Sequence, residues 1–219
     1  MPEKTRPDPW QGYARLLART EIVFRQVRQE YPDLISCGLG CDDCCRAPFR
    51  VSLIEGVALS TALESLARGL KRRILNRAEK ELEKALELFR SLPDQGNRES
   101  LELAARTLSR ARLRCPLLTG DGCAVYPARP ATCRLYGLPT QSGGLSHTCP
   151  RSGFEPGQSY PTVDLDLISD TLAELSLELA AEAGLGLLEL APVPVAQALL
   201  KEYPDRLRPP GRINARCPK

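Results

Sequence analysis

Apolar residues recur at helical spacing along most of this chain. Trp10, Tyr13, Leu17, Phe24 and Val27 share one face of a predicted helix. Asp8-Pro9-Trp10 supplies its start, with a carboxylate cap and a proline in the first turn, and Tyr31-Pro32 ends it. The helical pattern resumes at Ser52. Leu70, Ile74, Leu75, Ala78, Leu82, Ala85, Leu86 and Phe89 then form an apolar stripe, with Arg, Lys and Glu opposite. Leu92-Pro93-Asp94-Gln95-Gly96-Asn97 interrupts the stripe, and Leu101, Ala105 and Leu108 begin another amphipathic helix. After Thr162 the stripe returns through Leu165, Ile168, Leu172, Leu175 and Leu179, followed by a Gly- and Pro-broken helical segment and a polar tail.

Two stretches lack this periodicity, and both carry cysteines. The first is 37–50. The second, 113–152, lies in a region rich in Gly, Pro, Ser and Thr where irregular loops and short strands are expected. The expected fold is mostly α, a single domain over 1–219. Helical parts 8–31, 52–112 and 163–203 pack as a helical bundle. The two separated segments meet at one end as a loop-rich, cysteine-ligated metal module.

Composition narrows the chemistry. Thirty Lys and Arg against 27 Asp and Glu give a net charge of +3, and aromatics make up 5%. That balance offers neither a basic footprint for nucleic acid nor a stacking platform for bases. The charged N-terminus lacks an apolar run, and Leu179 to Leu200 is broken by Gly, Pro and Glu, so neither a secretory signal nor a membrane span is expected. The expected location is cytoplasmic, a reducing compartment where nine thiols read as metal ligands or redox groups rather than disulfides.

Cys37-x3-Cys41-x2-Cys44-Cys45 has spacings that turn several sulfurs toward one centre. Cys115, Cys123, Cys133 and Cys149 are spaced more widely, each near a Pro or Gly that turns the chain. Adjacent Cys44 and Cys45 would point to opposite sides of an extended backbone, so either they serve different centres or only one of them ligates. Cys217, in the polar tail, reads as a spare thiol. His147 reads as a solvated loop histidine, with a mixed Cys/His zinc site as the alternative. Asp42-Asp43 reads as a solvated turn. Asp164 and Asp166 flank a helix start, which accounts for them.

Cys37 to Cys45 with Arg46-Ala47-Pro48-Phe49 resembles the CxxCxxCC cysteine-cluster family of zinc- or iron-chelating proteins. Arg114-Cys115-Pro116-Leu117, Gly122-Cys123-Ala124-Val125-Tyr126, Arg129-Pro130-x-x-Cys133-Arg134 and Cys149 are similar to its C-terminal pattern. The first spacing is three residues here, where the family usually has two. The resemblance implies metal binding without implying a reaction, and some members are associated with protein lysine methylation.

The expected ligands are therefore Cys37, Cys41, Cys44, Cys45, Cys115, Cys123, Cys133 and Cys149. Arg129 and Arg134, inside the matching motif, are expected to compensate the charge of a thiolate centre. Wide spacing ending in Cys-Pro favours an iron–sulfur cluster of the 4Fe-4S type, in a redox, sensing or accessory role with a protein or redox partner. Zinc, in a stapled structural or interaction module, is the alternative. A second alternative is an iron–sulfur enzyme acting with S-adenosylmethionine, such as a protein methylation enzyme. Cys37-x3-Cys41-x2-Cys44 has the spacing of the radical S-adenosylmethionine motif, but Asp43 stands where that motif usually has an aromatic residue.

Overall fold

The computed structural model describes residues 8–38, 40–92, 98–120, 122–155 and 157–211. Its helices are α1 (Pro9–Glu30), α2 (Leu53–Glu64), α3 (Arg68–Arg90), α4 (Arg98–Ala111), α5 (Ala131–Leu135), α6 (Leu165–Glu182) and α7 (Val195–Leu200). Its strands are short: β1 (Arg50–Val51), β2 (Leu118–Thr119), β3 (Gly122–Cys123), β4 (Thr140–Ser142), β5 (Leu145–His147), β6 (Val163–Asp164) and β7 (Val193–Pro194). The fold is mostly α, as the periodicity predicts.

Helix α1 starts where the sequence places it. The Asp8 carboxylate accepts from the Trp10 N–H at 2.9 Å, and Tyr31 closes the last turn by donating its N–H to the Val27 carbonyl at 2.8 Å. Helix α6 starts the same way, with Asp164 accepting from the Asp166 N–H at 2.9 Å.

Helix α2 lies at the centre, because its sequence is apolar nearly all round. Leu53, Ile54 and Val57 meet α1 and α6 through Tyr13, Leu172 and Leu179. Leu59 and Leu63 meet α3 and α7 through Ile74, Ala78, Ala198 and Leu199. Each such Leu or Ile, taken fully out of water, contributes about 2 kcal/mol. The stripe on α3 is used only in part: Ile74 and Ala78 are buried, whereas Leu86 and Phe89 are more than two-fifths exposed. The core ends before those last turns. Of Leu101 and Ala105 in α4 only the backbone is described.

One charged side chain sits inside this core. Glu55, on α2, is 2% exposed. Its carboxylate accepts from the Ser52 N–H and the Ser52 hydroxyl, and from the Ala131 N–H, each at 3.0 Å. It therefore caps α2 and fastens the start of α5 to the helical core.

The strands form three small sheets. β1 pairs antiparallel with β7, β2 with β3, and β4 lies between antiparallel β5 and parallel β6. A third apolar cluster of Val27, Ile35, Leu135, Leu138 and Phe154 joins α1 to the loops, with Tyr31, Phe154 and Tyr160 packed edge to face. Cys37 packs against this cluster, so the loops that carry cysteine are seated on hydrophobic contacts.

Candidate metal centre

The first cysteine segment is a run of tight turns. Cys41 donates its N–H to the Gly38 carbonyl at 3.1 Å, and Cys45 to the Asp42 carbonyl at 3.0 Å. Asp43–Arg46 is a 3-10 turn, not extended backbone. Successive side chains on such a turn diverge by about a third of a revolution. Cys44 and Cys45 therefore do not point to opposite sides as an extended chain would require, and their thiols hydrogen-bond each other.

The second segment meets the first at several points. The Cys115 N–H donates to the Cys45 carbonyl at 2.7 Å. Cys123 lies on β3 opposite Leu118 of β2. Cys133 lies on α5, a short helix that the periodicity did not predict and whose start Glu55 holds. Thiol hydrogen bonds run in a row, Cys133 to Cys44, Cys44 to Cys45 and Cys45 to Cys115. Cys123 lies close enough to Cys45 and Cys133 for their charges to interact. These five thiols make one group.

The other three make a second. Cys37, Cys41 and Cys149 line one crevice with Gly137 and Arg151. The Cys37 thiol donates to the Tyr136 carbonyl at 3.5 Å, and the Arg151 N–H donates to the Cys149 sulfur at 3.4 Å. Gly137 is required here twice over. Its φ is +112°, and a Cβ in its place would overlap the Cys37 sulfur. Gly137→Ala is expected to destabilise the chain by about 2 kcal/mol, measured by urea unfolding, through backbone strain together with displacement of Cys37.

Asp43 stands between the groups. It is 3% exposed, where the sequence suggested a solvated turn. Its carboxylate accepts from Arg112 Nη2 at 2.5 Å, from the Tyr136 hydroxyl at 2.8 Å and, at 3.8 Å, from the Cys149 thiol. Burial pushes this carboxyl up, but the bonds from Arg112 and Tyr136 outweigh it and hold it below the ordinary carboxylate range. Asp42 is half-buried and pairs with Arg46 at 3.1 Å and Arg151 at 3.4 Å. Arg112, Tyr136 and Gly137 were not singled out from the sequence. The available signal was Tyr136-Gly137, close after Cys133.

Cys37, Cys44, Cys45, Cys123, Cys133 and Cys149 are hard to ionise where they sit. Burial pushes Cys37 and Cys123 up to about 11. Cys44 is drawn down by its bond with Cys133, but the bond with Cys45 and burial leave it at about 12. The bond with Cys115, followed by burial, brings Cys45 to about 12. Arg129 acts against these shifts, since its charge favours the thiolates of Cys37, Cys44, Cys123 and Cys133. It stacks over the Tyr126 ring at 3.6 Å and lies 3.8 Å from Glu21. Arg134 holds the same loop, donating to the Arg129 carbonyl at 2.9 Å, to Glu21 at 2.5 Å and to the Pro127 carbonyl. It supports Arg129 through the backbone.

Among the described residues, no three His, Cys, Asp or Glu side chains are arranged to hold a single ion as they stand. The donors are soft thiols, drawn together in pairs and faced by a fixed cation. That chemistry suits zinc or iron. His147 is exposed on β5. Cys217 lies outside the described residues.

A family model, CxxCxxCC, described as a "putative zinc- or iron-chelating domain", matches residues 36–150. The chain belongs to this family. The match takes in both cysteine segments and the helices between them. Comparisons with curated proteins and with solved structures gave no match. Metal binding is thus the property this CxxCxxCC chain shares with its family. Among the described residues, no helix is long and apolar enough to cross a membrane.

Proposed function

We propose that this CxxCxxCC protein carries an iron–sulfur cluster, held by thiolates drawn from Cys44, Cys45, Cys115, Cys123 and Cys133, in a redox, sensing or accessory role. The observation that carries the reading is the wide, irregular spacing of Cys115, Cys123 and Cys133, with Cys41-x2-Cys44 as the one C-x2-C pair where structural zinc sites commonly use two.

Charge favours a thiolate-held metal of either kind. A zinc or a 4Fe-4S cluster with four thiolates carries about two negative charges, which are costly to bury unless a cation faces them. Arg129 faces both thiol groups and is itself held by Tyr126 and Glu21. When bound, the cluster supplies one-electron chemistry. The chain's own residues hold it, balance its charge and seat it on α2 through Glu55.

Cys37, Cys41 and Cys149 form a separate thiol group beyond Asp43, available to a second metal or to thiol redox chemistry. The test is metal and acid-labile sulfide content, with the visible spectrum, on protein purified without oxygen. Iron and sulfide in comparable amounts, with broad visible absorption, are expected. Stoichiometric zinc without sulfide, in a colourless protein, overturns the cluster and makes a zinc-stapled module the function.

A further inference from the structure

Beside the thiol groups lies a cleft of about 370 Å³, whose lining takes in one of the eight expected ligands, Cys149. It borders the crevice of Cys37, Cys41 and Cys149, sharing Gly137 and Cys149 with it. Its walls are mixed, with several hydroxyls and the His147 ring among them. Phe49, Tyr136, Leu138 and Leu165 give apolar and aromatic surface, while Arg46 and Arg112 bring positive charge. Among the described residues, no Asp or Glu lines it.

Both arginines are positioned from behind. Arg46 Nε donates to Asp42 at 3.1 Å and Arg112 Nη2 to Asp43 at 2.5 Å. One nitrogen of each guanidinium is thereby fixed, and the planar fork has further N–H donors for another partner. Arg112 is also the one non-glycine residue with positive φ, +46°, among the described residues. A large side chain rarely adopts that conformation without something that holds it there, and its buried aspartate does so.

From this geometry we infer that the cleft binds a small organic oxyanion, a carboxylate or phosphate ester with an apolar or aromatic body. Arg46 and Arg112 take the anionic end, and Phe49, Tyr136 and Leu138 take the body. A pocket of this size, mostly apolar with a few fixed polar groups, has the make-up of a small-molecule site. Its shared wall at Cys149 places the ligand against the thiol group of Cys37, Cys41 and Cys149. The inference stands on the cleft and its arginines, independently of which metal the thiols hold.

The test uses full-length protein as purified, with metal content measured on every sample. Three naphthalene probes are titrated by fluorescence: 1-naphthoate, neutral 1-naphthalenemethanol and cationic 1-naphthylmethylamine. Naphthoate is expected to bind in preference to the other two. Loss of a charged hydrogen bond in Arg46→Gln or Arg112→Gln is expected to weaken it by about 10- to 100-fold. Ser109→Trp fills the cleft from the exposed end of α4 while leaving both arginines in the chain, and is expected to abolish binding. Equal binding of the amine, or naphthoate affinity unchanged in Ser109→Trp, overturns the inference. Protein that holds metal but not naphthoate overturns the cleft assignment alone. Naphthoate binding without metal supports the cleft and removes the metal reading.

Discussion

Alanine in place of Glu55 is expected to destabilise the protein by about 4 kcal/mol. The carboxylate satisfies the N–H and hydroxyl of Ser52 and the N–H of Ala131. Without it these donors stay buried and unpaired, at about 1–3 kcal/mol each, and a small cavity adds to the loss. Urea unfolding measures the effect. A loss under about 1 kcal/mol, the range of an ordinary surface change, shows that the site relaxes and that Glu55 does not tie α2 to α5.

The pH dependence has a definite sign. Burial raises the Glu55 carboxyl above its ordinary value of 4.5, against the bonds from Ser52 and Ala131 that lower it. Below pH 4.5 both folded and unfolded chains hold the proton, and the contribution to stability is fully present. Between 4.5 and the raised folded value only the native state holds it, so stability falls as pH rises through that window. Glu55→Gln lacks the titration. The difference in stability between wild type and this variant should therefore shift toward the variant as pH rises, and a flat difference removes the assignment.

Replacing Cys133 by alanine is expected to reduce bound iron and sulfide to background, because Cys133 begins the row that continues through Cys44, Cys45 and Cys115. A bound metal that the unfolded chain does not retain stabilises the fold, so the variant should also unfold several kcal/mol more easily, about the scale of a tightly held structural site. Cys37→Ala removes a thiol from the other group and is expected to leave the iron and sulfide of the first group in place. Cys217→Ala, at the thiol read as spare, is the control. Metal analysis and thermal unfolding on the same samples decide the matter. Equal loss from Cys133→Ala and Cys37→Ala means that the eight thiols serve one pooled centre.

Helix positions were legible in the sequence because they depend on local pattern. Asp8-Pro9 and Tyr31-Pro32 fixed both ends of α1, and the stripe from Leu165 to Leu179 located α6. These are matters of hydrogen bonding and periodicity within a few residues. Helix α5 was missed because a five-residue helix is too short to show a period. The unused end of the α3 stripe was missed for a different reason. An amphipathic pattern shows which face can be buried, but not how far the partner helices extend.

The sequence alone also determined the chemical class of the centre. Eight thiols in two segments, with Arg129 in the motif beside Cys133, read as soft-metal donors whatever the fold, because sulfur chemistry resides in the side chains themselves. Only the tertiary structure decided how those thiols are grouped. Cys44 and Cys45 share a group because their backbone is a 3-10 turn, and Cys149 joins Cys37 and Cys41 because Gly137 lets the chains approach. Asp43 is buried because Arg112 and Tyr136, 69 and 93 residues away, converge on it. Contacts across such separations arise from the packing of the whole chain, so they leave no local pattern in the sequence.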